Sequence, residues 1–172
     1  MPEINYLKYY WLEKYLFEDV RKNFNKNGCL TPEEFFAIVI WKRNASKTQI
    51  IRGFKNSSQS ISSITKEVYK SDKKMETLRK IKGVGIAIAS AILTVLYPDD
   101  FTVIDYRVLN SLKNKGVKIF GKPTEKIKDY NEYVKICKKE SKRLGISLRN
   151  FDRTLWAENF YEELKRLVKG LR

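Results

Sequence analysis

The stretch Leu78-Arg79-Lys80-Ile81-Lys82-Gly83-Val84-Gly85-Ile86-Ala87-Ile88-Ala89-Ser90-Ala91-Ile92-Leu93 reads as the end of one helix, a tight turn and the start of another. Two glycines around one aliphatic residue permit a hairpin with positive φ and leave backbone N–H groups uncovered. Amides at the opening of a helix form a site for an anion such as a phosphate. Ala87, Ala89, Ser90 and Ala91 let two helices approach closely, and Lys80 and Lys82 add charge at the same spot. Gly-X-Gly alone is weak evidence, because a glycine turn in any helical bundle has the same form.

Working outward, the spacing of apolar residues predicts helices almost everywhere. Ile86 to Tyr97 is a helix rich in small apolar residues. Pro98-Asp99-Asp100 is a turn, and Phe101-Thr102-Val103-Ile104 is a short extended stretch entering a helix at Asp105. Upstream, Thr31-Pro32-Glu33-Glu34 is a helix start with a capping threonine, proline at the first position and acids in the first turn. That helix runs through Phe35 and Phe36, expected in the core, to Trp41-Lys42-Arg43. Short helices are expected over Lys47 to Phe54, Ile64 to Tyr69 and just before Ile81, with Tyr69 expected in the core and a Ser-rich loop from Asn56 to Ser63. At the N-terminus, Asn5 to Phe24 is helical and Asn25 to Leu30 is a loop. Near the other end Thr124 caps a helix through Leu144, Gly145 closes it, and Ser147 caps a last helix to Lys169. Only the four residues before Asp105 look strand-like, so the fold class is all-α.

Composition bounds the function. A chain of 172 residues with 42% apolar and 13% aromatic residues can build a core without covalent staples. Its length suits one compact unit or two lobes. Thirty-five Lys and Arg against 20 Asp and Glu give a net charge of +15. That excess favours a polyanionic partner, nucleic acid or an acidic membrane surface, although a general lysine bias produces the same sum. No apolar run is long enough to span a membrane and no signal pattern opens the chain, so a cytoplasmic protein is expected. The only cysteines are Cys29 and Cys137, expected free and buried, and there is no histidine. Two isolated thiols cannot hold an iron–sulfur cluster or a Cys/His zinc site. The lack of histidine removes the Ser-His-Asp and Cys-His mechanisms. Neither Asp99-Asp100 nor Glu33-Glu34 makes a metal site.

From about Phe35 to Leu112 this order of features resembles the helix-hairpin-helix DNA glycosylase superfamily, which includes endonuclease III, MutY, AlkA and the 8-oxoguanine glycosylases. The hairpin (about 76–97), the apolar helix, the connector and an aspartate opening the next helix carry the resemblance. It implies a two-lobed helical bundle, with residues 28–104 as a central lobe, 1–27 plus 105–172 as a second, and a catalytic cleft between them. It implies a monomer that binds double-stranded DNA and so associates with the nucleoid. Lys80, Lys82, Gly83, Val84, Gly85, Ile86 and Arg107 are the expected backbone-binding residues. Trp41, Lys42 and Arg43 fall where relatives probe the base stack, and Arg43 is near a position that relatives give to glutamine. A core tryptophan followed by solvated charges is the competing reading.

Asp105 is the expected catalytic residue. Breaking a base–sugar bond builds positive charge on the sugar, which a carboxylate stabilises while it orients water. Aspartate is also a favoured helix cap, and the two roles are compatible. Bifunctional relatives carry a lysine where this chain has Ala87, so base release without efficient strand cleavage is implied. The absent cysteine tail places the chain with cluster-free members, with no cofactor beyond a monovalent cation on hairpin backbone carbonyls. Arg107 either holds a phosphate, the preferred reading, or pairs with a surface acid. Lys138-Lys139 and Lys142-Arg143 are expected on a solvated helix face. A non-catalytic DNA-binding module and an RNA-binding or general interaction protein are the alternatives.

Overall fold

The computed structural model describes residues 6–169, so Asn5, the expected start of the first helix, lies outside the described residues. Every regular element among the described residues is helical. The chain divides into two compact units, one ending at Tyr97 and the other beginning at Pro98.

In the first unit, α1 (Leu7–Tyr10), α2 (Leu12–Tyr15), a π-helical segment (Leu16–Val20) and α3 (Arg21–Asn27) follow one another closely. The last helix takes in residues 25–27, expected in a loop, and stops only at Gly28, whose φ of +69° suits a left-handed cap. α4 (Pro32–Arg43) begins as its sequence predicts. Thr31 Oγ1 accepts from the Glu34 amide at 3.2 Å, and Glu34 accepts from the Thr31 amide at 2.9 Å, closing a capping box. A short 3₁₀ turn (Asn44–Ser46) leads into α5 (Lys47–Lys55). α6 (Ile61–Lys70) starts earlier than Ile64 because Ser60 and Ser63 cap each other's backbone amides. Thr65 then ties α6 to the loop before α4, its Oγ1 accepting from the Leu30 amide at 3.0 Å.

α7 (Lys74–Arg79) and α8 (Ile86–Leu96) form a hairpin, and α8 also packs on α3, α4 and the π-helical segment. A helix apolar on all sides belongs at the centre of its unit. Accordingly every residue of α8 except Ala87 is buried. Each fully buried Ile or Leu side chain there contributes about 1.5–3 kcal/mol. The buried hydroxyls are satisfied within the helix, Ser90 Oγ donating to Ala87 O at 2.9 Å and Thr94 Oγ1 to Ser90 O at 2.7 Å. Phe35 is fully buried, Phe36 is half-buried, and Tyr69, expected in the core, is 45% exposed with its ring against Phe24.

The second unit holds α9 (Tyr106–Asn114), α10 (Ile127–Arg143) and α11 (Leu148–Lys169), with α11 packed on both others. Residues 101–104 form no strand; they run as an irregular segment with Thr102, Val103 and Ile104 buried. Thr124 does not cap α10. Its hydroxyl accepts from the Lys126 amide at 2.9 Å in a turn before the helix. Ser147 does cap α11, accepting from the Asn150 amide at 3.1 Å. Cys137 is buried and Cys29 only half-buried, and both are free. No helix is long and apolar enough to cross a membrane among the described residues.

Candidate functional site

The hairpin turn is built from local rules. Ile81 N–H donates to Leu78 O at 3.1 Å and Val84 N–H to Ile81 O at 3.0 Å, closing the turn. Gly83 sits at φ +91°, a backbone state that side chains rarely adopt. Ile81 and Val84 are buried and anchor the turn from below. Gly85 is extended and serves as the N-cap of α8 with no side chain to cap it. The amides at the start of α8 therefore differ from those of α4, α6 and α9, where a Thr, Ser or Asp oxygen occupies the same role.

Of the two hairpin lysines, Lys80 is paired with Glu67 on α6. Both side chains are about half exposed, so the pair is worth only about 0–1 kcal/mol and yields readily to a phosphate. Lys82 is exposed and has no ion-pair partner among the described residues. Ile86 is buried under the turn. Ile81 O accepts the Val84 amide and Lys82 O faces α5, so two of the hairpin carbonyls that the expected monovalent cation would use are turned toward protein. Among the described residues no group of three or more acidic or cysteine side chains could hold a metal.

Sequence reasoning overlooked what supports the turn. A Cβ on Gly53 of α5 would lie 2.7 Å from Lys82 O and 2.9 Å from Lys82 Cβ, and one on Gly83 would lie 3.1–3.3 Å from Gln49 and Ile50. The turn is thus seated on α5 through two glycines. The available signal was Gly53 inside an otherwise unbroken helix, which costs helix stability and so suggests a packing reason.

Trp41, Lys42 and Arg43 end α4. Trp41 is half-buried with its ring edge-on to Phe17 at 5.9 Å, Lys42 is half-buried, and Arg43 is exposed. Ala87 lies half-buried in the first turn of α8.

In the second unit, Asp105 is the N-cap of α9. Its backbone is extended, and its Oδ1 accepts from the Arg107 amide at 3.0 Å. The segment leading to it is held by α10. Tyr130 Oη donates to Thr102 O at 3.0 Å, and Tyr133 Oη to Val103 O at 2.8 Å. Both phenols are fully buried. Burial pushes their pKa values well above the ordinary value, so they stay protonated donors. Burial also pushes the neighbouring Cys137 thiol up to about 12. The sequence reading missed these tyrosines because their partners are backbone carbonyls on a remote segment. Tyr133→Phe is expected to cost about 1–3 kcal/mol, since it strands a buried carbonyl while keeping the ring. Urea unfolding measures it; an unchanged midpoint would mean that water replaces the phenol.

Arg107, expected on a phosphate, takes the other of its two readings. It is bonded to Glu163 of α11, and its guanidinium lies 5.0–5.3 Å from the ring centroids of Tyr106, Trp156 and Phe160. Lys138 pairs with Asp100 at 3.0 Å and Arg143 with Glu140 at 2.9 Å, while Lys139 and Lys142 face solvent.

No protein-family model matches the chain, and no solved structure matches it significantly.

Proposed function

We propose that the chain is a monofunctional DNA base-excision glycosylase with a two-lobed helix-hairpin-helix fold. The observation that carries this reading is the positive-φ glycine turn opening directly into α8, followed along the chain by Asp105 at the start of α9. The hairpin amides and Lys82 bind a phosphate of double-stranded DNA. A target nucleotide leaves the stack, because its sugar–base bond is inaccessible within the duplex. Asp105 stabilises the cationic sugar as the bond breaks and orients the attacking water. Ala87 offers no amine, so no Schiff base forms there and the product is an abasic site. The net charge of +15 suits DNA as a partner, and a monomer associated with the nucleoid completes the reading.

A set of duplexes carrying oxidised, alkylated, deaminated or mismatched bases, scored for abasic sites, tests it. Release of at least one base without a covalent adduct under borohydride is the expected result. A strong borohydride adduct would refute the monofunctional mechanism, and no release from any duplex would refute the activity.

One observation favours a second reading, a non-catalytic DNA-binding protein: capping α9 already accounts for an aspartate at position 105. Both readings share the hairpin as a phosphate grip. Lys82→Ala is therefore expected to weaken duplex binding and lower the slope of log affinity against log salt by about 0.9, the value for one phosphate contact. Fluorescence anisotropy over a potassium chloride series measures it. An unchanged slope would remove Lys82 from the interface, and preference for RNA in competition would remove duplex DNA as the partner.

A further inference from the structure

α10 has two faces of opposite character. Tyr130, Tyr133, Cys137 and Ser141 are buried in the second unit. Lys128, Lys135, Lys139 and Lys142 are exposed and recur at intervals of seven, four and three residues, which sets them in one row on the far side of the helix. At the α-helical rise this row is about 21 Å long.

None of the four lysines has an ion-pair partner among the described residues. Several other cations of the same unit do. On α10 itself Lys138 pairs with Asp100 and Arg143 with Glu140, and elsewhere Lys115 pairs with Glu158 and Lys165 with Glu162. Glu132 is the one carboxylate in the row, and it bonds none of the four. Like charges three and four residues apart weaken a helix, so an uncompensated row is a cost that an anionic partner offsets.

The form of the row indicates which anion fits. A small anion reaches one or two ammonium groups, whereas a linear polyanion meets all four. Duplex DNA places a charge about every 1.7 Å along its axis, so several phosphates fall within the length of the row. A helix that rests on an anionic membrane instead offers apolar side chains to the lipid beside its basic ones. On α10 the exposed neighbours of the row are Asn131, Glu132 and Arg143, and both tyrosines are turned inward. The helix is also anchored, because Tyr130 and Tyr133 bond the carbonyls of Thr102 and Val103. Binding along it therefore orders lysine side chains but no backbone.

We propose that the outer face of α10 is a second contact for the DNA backbone, separate from the hairpin and independent of sequence. Each lysine acts as a point charge against the phosphates, and counterion release drives the contact. This contact rests on the DNA-binding reading of the chain and needs no chemistry at Asp105.

The test uses the full chain, a fluorescent duplex and a potassium chloride series. Wild type is compared with a triple variant of α10, Lys135→Gln, Lys139→Gln and Lys142→Gln. A charge-matched control carries Lys22→Gln, Lys26→Gln and Lys66→Gln at exposed positions of the first unit. Glutamine forms helix about as well as lysine, and urea midpoints check that both variants fold. The α10 variant should bind at least tenfold more weakly at low salt, with the slope of log affinity against log salt reduced by about 2–3, near 0.9 for each phosphate. The control should lower the slope by less than about 1. Lys139→Gln alone should lower it by about 0.9, which keeps the contact testable if the triple variant unfolds. Adding Lys82→Ala to the α10 variant should lower it by about 0.9 more, because separate contacts release separate counterions. Duplex binding with an unchanged slope in the α10 variants, or an equal loss in the control, overturns the α10 contact and leaves the hairpin reading standing. No duplex binding by wild type at low salt overturns both. Binding to phosphatidylserine vesicles that is tighter than to the duplex, and lost in the α10 variant, gives the face to a membrane and overturns its contact with DNA.

Discussion

Asp105→Asn is expected to lower base release by about 10²–10⁴-fold, the range lost when a positioned acid–base or electrostatic group is removed. The substitution separates the two roles of this residue. Asparagine is as good an N-cap as aspartate, so its side-chain oxygen keeps the bond to the Arg107 amide that Asp105 Oδ1 makes at 3.0 Å. Stability should therefore change by only a few tenths of a kcal/mol, mainly through the lost charge at the start of α9. What asparagine cannot do is carry negative charge toward a cationic sugar or accept a proton from water. Duplex affinity should hold or rise, because one repulsion with phosphate is gone. Asp105→Ala serves as the contrasting variant: it loses the cap as well and should cost about 1 kcal/mol in urea. Single-turnover release from a duplex on which wild type frees a base measures the first effect. Equal rates for wild type and Asp105→Asn would leave the residue a cap and favour the non-catalytic reading.

Gly53→Ala is expected to destabilise the first unit and disturb the hairpin, although it places a better helix former in α5. Alanine in place of glycine within a helix favours the helix by about 0.8–1.0 kcal/mol. Against that, the new methyl would meet Lys82 O at 2.7 Å and Lys82 Cβ at 2.9 Å. The first of these is backbone, so the clash is relieved only by moving the turn or α5. Overpacking of this kind typically costs about 1–3 kcal/mol, and more when the neighbours are rigid. Gly83 cannot absorb the shift easily, because its own space is bounded by Gln49 and Ile50. The expected balance is a loss of up to about 2 kcal/mol by urea unfolding. Several-fold weaker duplex binding should accompany it, since the amides of the turn no longer hold their register. A gain of about 1 kcal/mol with unchanged binding would mean that the close approach of α5 is dispensable.

These two residues differ in how far the sequence exposes them. Asp105 is legible because its signal is local: an aspartate followed by a helical pattern reads as a cap, and the glycine turn ahead of it gives it context. Gly53 shows only as an oddity in a helix, and what it touches lies far along the chain. Arg107 shows the same limit. Two chemically sensible partners were open to it, and the choice of Glu163 followed from α11 packing beside α9. The start of α6 was misplaced for a smaller reason. Ser60 and Ser63 cap each other, a role that the familiar pattern gives to a glutamate or glutamine at the second position.

The sequence by itself determined the all-helical class, the Thr31 cap with Pro32 behind it, the Ser147 cap, the glycine turn at position 83 and the cap at Asp105. Each depends on backbone conformation and hydrogen bonds spanning a few residues, so neighbouring side chains suffice to specify it. Only the tertiary structure decided that α5 carries the hairpin turn, that Tyr130 and Tyr133 hold the segment before Asp105, and that the lysine row of α10 goes unpaired among the described residues. Those relations depend on which helix faces meet, and that is set by burying apolar surface across the whole unit, a sum over distant residues that no local pattern records.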